Sequence, residues 1–116
     1  MSIETIASPM KRSSPVIDPE ALRSAAGMAV GALKVLANAD RLLLLCQLSQ
    51  GEMCVSDLEQ TLGIHQPTLS QQLGVLRNEG VVRTRREGKS IFYSVADPSM
   101  LEILALLYRL YCPKEE

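Results

Sequence analysis

The hydrophobic period of this chain changes once and then changes back, which limits what it can fold into. From Pro19 to Asn78 the apolar residues recur at helical spacing, from Val81 to Val95 they alternate, and from Ser99 onward they are helical again. The alternating part reads as a β-hairpin. Val81–Arg86 and Ser90–Val95 are rich in β-branched and aromatic residues and are separated by Glu87-Gly88-Lys89. Four helices are predicted before it and one after.

Asp18-Pro19 opens the first helix, Asp as N-cap and Pro at the first helical position. It runs to about Val35, with Leu22, Ala25, Ala26, Ala29, Leu33 and Leu36 at helical spacing. Gly27 and Gly31 weaken an isolated helix by roughly 1 kcal/mol each; either they admit a closely packed helix partner or they are merely tolerated. Asp40-Arg41 opens a second helix reaching about Leu48, and Gln50-Gly51-Glu52 breaks the chain. Ser56-Asp57-Leu58-Glu59 reads as a capping box for a short third helix that stops near Leu62, with Gly63 as its turn residue. Gln66-Pro67 opens the fourth, with Leu69, Leu73 and Leu76 as its buried face and Asn78 and Gly80 as its stop. Asp97-Pro98 caps the last helix, Ser99 to about Cys112, which Pro113 ends.

The expected fold is therefore mainly α with a small β-hairpin: five helices and a wing in one domain over residues 19–116, preceded by a disordered arm over 1–18. The 116 residues include one Phe and no Trp, so a core of Leu, Val and Ala suits packed helices. Residues 1–18 contain no apolar run of the kind a signal peptide needs. Leu42–Cys46 and Ile103–Leu107 are too short to span a bilayer. A cytoplasmic protein with no membrane partner is expected.

The last helix is apolar almost all round, from Met100 and Leu101 through Leu104, Leu106 and Leu107 to Leu110 and Tyr111. A helix without a polar face is buried on more than one side. In so short a chain the second cover is a second copy, so a homodimer is expected, with the first helix as co-participant and Leu104 and Leu107 as positions where a charge breaks it.

Two short helices joined by a Gly-containing turn and followed by a basic hairpin form the winged helix-turn-helix order. With Leu69, Leu73 and Leu76 facing inward, Gln66, Thr68, Ser70, Gln71 and Gly74 face out. Small or amide-bearing side chains let a helix enter a major groove about 12 Å wide, and Gln bonds adenine bidentately. Net charge is −1, but Arg77, Arg83, Arg85, Arg86 and Lys89 against Glu79 and Glu87 leave a local excess of three positive charges. DNA responds to that local footprint. In the hairpin, Arg83, Arg85, Arg86 and Lys89 suit phosphate or minor-groove contact, and Arg77 joins them in the DNA-binding set. Any one of them could equally be a solvated surface residue; their order along the chain carries the reading. A single His, His65, and no phosphate-binding Gly loop argue against an enzyme, and no cofactor is expected. A pure protein-interaction module would have no need of the basic hairpin. The odd count of three cysteines argues against a disulfide framework and leaves packing, metal ligation or a redox switch open.

Leu36-Ala37-Asn38-Ala39-Asp40-Arg41, then Gln66-Pro67-Thr68-Leu69-Ser70-Gln71-Gln72-Leu73-Gly74-Val75-Leu76-Arg77, then Gly80-Val81-Val82 and Arg85-Arg86-Glu87-Gly88-Lys89, resemble the ArsR family of dimeric bacterial repressors over residues from about 20 to 112. The resemblance implies dimerisation through the terminal helices and release of double-stranded operator DNA when an inducer acts. Many members sense metals through a Cys-Val-Cys-Asp-Leu stretch. Here it reads Cys54-Val55-Ser56-Asp57-Leu58, so a thiolate is missing, and the last helix has no His for the family's other zinc site. A metal-responsive repressor using Cys54 is the alternative, but one Cys with no second soft donor makes no closed thiolate site. Cys46 and Cys112 resemble the thiol pair of the BigR-type branch. That resemblance implies a redox and persulfide switch, with the reduced dimer on DNA and an oxidant or reactive sulfur species linking the two cysteines.

Overall fold

The computed structural model describes residues 17–113 and divides the chain into two compact units at Val30 and Gly31. The expected arm over 1–18 lies almost wholly outside the described residues. Helix α1 spans Pro19–Leu36. In the first unit every described residue is exposed, and the Ala21 N–H donates to Asp18 Oδ2 at 3.1 Å, the expected cap.

The second unit holds the end of α1, then α2 (Ala39–Leu48), β1 (Met53–Cys54), α3 (Val55–Leu62), α4 (Thr68–Asn78), β2 (Val82–Glu87), β3 (Ser90–Val95) and α5 (Pro98–Tyr111). Five helices and a wing are as read from the sequence. The wing, however, is a three-stranded antiparallel sheet in the order β1-β3-β2, where only a hairpin was expected. β1 adds Met53 opposite Tyr93 and Cys54 opposite Phe92. Two residues are too few to show alternation, and a partner about forty positions away leaves no local signal. The hairpin pairs Val82 with Val95 through Glu87 with Ser90, and Gly88 takes the turn at φ 63°.

Three helix starts depart from the sequence reading. Asn38, one residue before α2, is its cap: it is extended (φ −157°, ψ 124°) and its Oδ1 accepts from the Arg41 N–H at 3.0 Å. The expected Ser56–Glu59 capping box does not form. Pairing with Phe92 holds Cys54 extended at φ −87°, ψ 167°, so α3 already begins at Val55 and Ser56 lies inside its first turn. The Ser56 hydroxyl sits 3.4 Å from Cys54 Sγ instead. Pro67 flanks α4 as its cap and is not its first helical residue; Gln66 Oε1 accepts from the Ser70 N–H at 3.0 Å. Two other ends are as expected. Gly63 closes α3 in the left-handed region at φ 71°, and Asp97 Oδ1 accepts from Ser99 N at 2.9 Å to start α5.

The core is wholly aliphatic. Leu44, Leu45, Leu48, Leu58, Leu69 and Leu73 form its centre, joined by Leu76, Met100 and Leu104. Each such side chain contributes roughly 1.5–3 kcal/mol by leaving water. No helix among the described residues is long and apolar enough to cross a membrane. The buried row of α4 seats the whole recognition unit, so Leu73→Ala should destabilise the fold by about 2–5 kcal/mol, a large part of a small domain's stability. Urea unfolding at constant m-value measures this, and a loss below about 1 kcal/mol would contradict the packing described.

Candidate nucleic-acid interface and thiol pair

The inward triad of α4 leaves an outer face of small and amide side chains. Gln66, Ser70 and Gln71 are exposed, and Thr68 and Gly74 are half-buried. A Cβ built on Gly74 would meet nothing within 4 Å. Internal packing therefore does not demand this glycine; it keeps the outer face low. Gln66 uses its carbonyl oxygen to cap α4, which leaves its amide nitrogen as the outward donor. Gln72 points the other way, into the domain.

Its partner is Arg41, a residue the sequence reading gave no functional role. Arg41 Nη1 donates to Gln72 Oε1 at 3.0 Å, Nε to the Val35 carbonyl at 2.7 Å, and Nη2 to the Lys34 carbonyl at 3.0 Å. One guanidinium thus joins the end of α1, the start of α2 and the middle of α4. The available signal was an arginine placed one residue before the Leu42–Leu45 run, where a charge has no reason to be unless it is bonded.

α4 packs against β2, so the wing adjoins the outer face of the recognition helix. Arg77, Arg83, Arg86 and Lys89 are exposed and, among the described residues, have no ion-pair partner. Arg85 differs. Its Nη2 and Nε donate to the Glu52 carboxylate at 2.7 and 2.9 Å, its Nη1 donates to Glu87 at 3.0 Å, and the guanidinium lies 4.8 Å from the centroid of the Phe92 ring. The Arg85 hydrogen bond holds the Glu52 carboxyl below the usual carboxylate range. Glu52 directly precedes β1, so this fork fastens the wing to the segment that follows α2.

Cys46 is half-buried on α2, and Cys112 is exposed where α5 ends. Both line one cleft of about 670 Å³ between these helices, with Leu43, Leu101, Ala105 and Tyr108 around them. Burial pushes the Cys46 thiol up from its ordinary range, and the nearby charge of Cys112 adds to the effect. Cys54 lies apart, in a smaller recess of about 340 Å³ beside Lys89 and Ser90. Both cleft cysteines are legible through the family resemblance, but the cleft itself joins helices too distant in the chain to be paired by inspection. His65 Nδ1 lies 3.3 Å from Glu59, and no cluster of three or more metal-ligating side chains occurs among the described residues.

The apolar surface of α5 is split. Leu104, a position expected to face a second copy, is 2% exposed, and Leu107 packs against the core. Leu104 belongs to the interior and Leu107 is half-buried on the same side, because α5 turns the stripe through Met100 and Leu104 inward. Leu106 and Leu110 stand 42% and 61% exposed on a different stripe. Leu22, Met28 and Leu33 of α1 are exposed as well, and Cβ atoms at Gly27 and Gly31 would meet nothing within 4 Å.

The model of the bacterial regulatory proteins of the arsR family matches residues 38–84. The biofilm growth-associated repressor of Agrobacterium fabrum is 54% identical over 84 residues, covering 72% of each chain. That of Xylella fastidiosa is 43% identical over 102 residues, 88% of this chain and 90% of the relative. The crystal structure of the repressor BigR from Xylella fastidiosa superposes with a TM-score of 0.77 at 43% identity, covering 84% of this chain and all of that one (100%). With its recognition helix, basic wing and these likenesses, this chain belongs to the ArsR family of DNA-binding bacterial transcription regulators.

Proposed function

We propose that the chain is a homodimeric cytoplasmic repressor that holds operator DNA while its thiols are reduced and releases it when Cys46 and Cys112 are linked, directly or through added sulfur atoms. The observation that carries the reading is the shared cleft: the two cysteines line one cavity, while Cys54 lies in another recess. The relatives that bear the name repressor support the direction of control.

Reading of base edges falls to Gln66, Thr68, Ser70 and Gln71, and phosphate contact to Arg77, Arg83, Arg86 and Lys89. Arg85 serves the same interface by holding the wing in place through Glu52. The dimer forms through the exposed stripes of α1 and α5. A link across the cleft ties α2 to α5 and shifts the spacing of the two recognition helices. Losing a few kcal/mol on the operator lowers its occupancy by orders of magnitude.

Gln71→Ala should cost about 1–3 kcal/mol on the specific site and leave non-specific binding nearly unchanged, whereas Arg83→Ala should weaken both and lower the salt slope by about one. Gel shifts at matched salt measure this, and unchanged affinity in both variants would remove α4 and the wing from the interface.

Leu106→Glu together with Leu110→Glu should give a monomer at micromolar concentration that binds operator poorly. Sedimentation showing an intact dimer would move the interface elsewhere.

After a persulfide donor, wild type and Cys54→Ser should release DNA reversibly with added thiol, while Cys46→Ser and Cys112→Ser should stay bound. Because the Cys46 thiol is pushed up, its thiolate fraction at neutral pH is small and grows as pH rises. The linking step should therefore quicken from pH 7 to pH 9, as read by non-reducing mass spectrometry. A response lost only in Cys54→Ser would overturn the assignment.

A further inference from the structure

The cleft that holds the two cysteines has a chemistry of its own. Its walls are mostly aliphatic and aromatic, with Leu43 and Leu62 on one side and Leu101, Ala105 and Tyr108 on the other. Besides the two thiols, its described polar side chains are neutral: Gln47, Ser49 and Gln50 at the end of α2, and the Tyr108 hydroxyl. No charged side chain is among the described residues that line it. At about 670 Å³ it falls within the size range of small-molecule sites, far more room than a lone sulfur species needs.

Access is also graded. Cys112 is exposed at the mouth and Cys46 is half-buried within. The wall that α5 presents here carries Leu101, Ala105 and Tyr108, one turn apart, and is a different stripe from Leu106 and Leu110. The dimer proposed above uses Leu106 and Leu110 and does not call on this wall.

Resting on the thiol-switch reading, we infer that the cleft selects its sulfur donor by the donor's organic body: an organic persulfide R–S–SH whose R group is uncharged and apolar. The R group lies against the leucines and Tyr108, and the persulfide end faces Cys112. The Cys112 thiolate attacks the outer sulfur, the donor's S–S bond breaks, and R–S⁻ leaves and takes up a proton. Cys112 then carries –S–SH. The Cys46 thiolate attacks the inner sulfur of that group and expels HS⁻. The sum is R–S–SH plus two cysteine thiols giving R–SH, hydrogen sulfide and the Cys46–Cys112 disulfide; the donor's outer sulfur is reduced as the cysteines are oxidised. A second donor molecule that charges Cys46 first gives a trisulfide by the same loss of one hydrogen sulfide. A donor with carboxylates or an ammonium group on its body must strip water from charges that find no charged partner among the described lining residues.

The test uses the full chain with Cys54→Ser, so that only the two cleft thiols report. Rates of cross-linking by benzyl persulfide and by glutathione persulfide are measured by mass spectrometry, each divided by that donor's rate with N-acetylcysteine to remove intrinsic reactivity. Benzyl persulfide should be favoured roughly tenfold or more, the scale on which an apolar pocket discriminates. Ala105→Asp, which puts a charge on the exposed wall, and Ala105→Trp, which fills the cleft, should each bring the normalised rates of the two donors together. Circular dichroism verifies that α5 is intact in both. Equal normalised rates in the parent protein, or a preference that survives both substitutions, would overturn the selectivity while leaving the thiol switch standing. Absence of a cross-link with either donor would overturn the switch as well.

Discussion

The arrangement of this domain depends on one side chain, Arg41. The last carbonyls of a helix have no partner within it, and the Arg41 guanidinium takes two of them at the end of α1 while its third nitrogen reaches Gln72 of α4. Three fixed donors on one planar group hold their three partly buried or exposed acceptors in register. A lysine could not substitute, because one ammonium on a flexible stem cannot present three fixed donor directions. Arg41 is itself placed by the Asn38 cap, which fixes the first turn of α2. The orientation of the recognition helix therefore depends on where α1 ends, and in the proposed dimer α1 supplies part of the interface.

α2 carries this connection in the other direction too. At its C-terminal end the Ser49 hydroxyl donates to the Cys46 carbonyl at 2.6 Å, and the chain turns through Gly51 to Glu52, the carboxylate that grips Arg85 of the wing. One ten-residue helix thus bears the Arg41 junction at its start, a cleft cysteine in its last turn, and the wing's anchor just beyond its end. A bond from Cys46 to α5 would act on the element that positions both parts of the DNA-binding surface. No separate relay is needed.

How far the sequence discloses this follows from how local each feature is. Helix extents, the hairpin, the Gly63 stop and the inward row of Leu69, Leu73 and Leu76 are written in periods and turn residues, and they stand close to where they were expected. β1 is invisible because its only partner is β3. The same pairing holds Cys54 extended and starts α3 early, so Ser56 loses the capping role its spacing suggested. Among the outward residues, Gln66, Ser70 and Gln71 are exposed as read, but Arg85 is spoken for by Glu52 and Glu87, a commitment set by the third strand. Arg41 offers only its place beside an apolar run, which names no partner. Its role comes from a contact thirty-one positions away.

The last helix shows why all-round apolarity can mislead about which residue does what. From the sequence, any leucine of α5 could face a second copy. In the structure the helix has three stripes. Met100, Leu104 and Leu107 enter the core, Leu101, Ala105 and Tyr108 line the cysteine cleft, and Leu106 and Leu110 face outward. Leu104 both enters the core and borders the cleft, while the helical repeat sets Leu106 and Leu110 apart from both. In the proposed dimer, thiol chemistry at the cleft would leave the Leu106 and Leu110 face intact, and a bond made there would pull on the helix that carries it. A switch that releases DNA without dissociating its subunits requires this separation, and a helix with a polar side could not provide three apolar surfaces in fourteen residues.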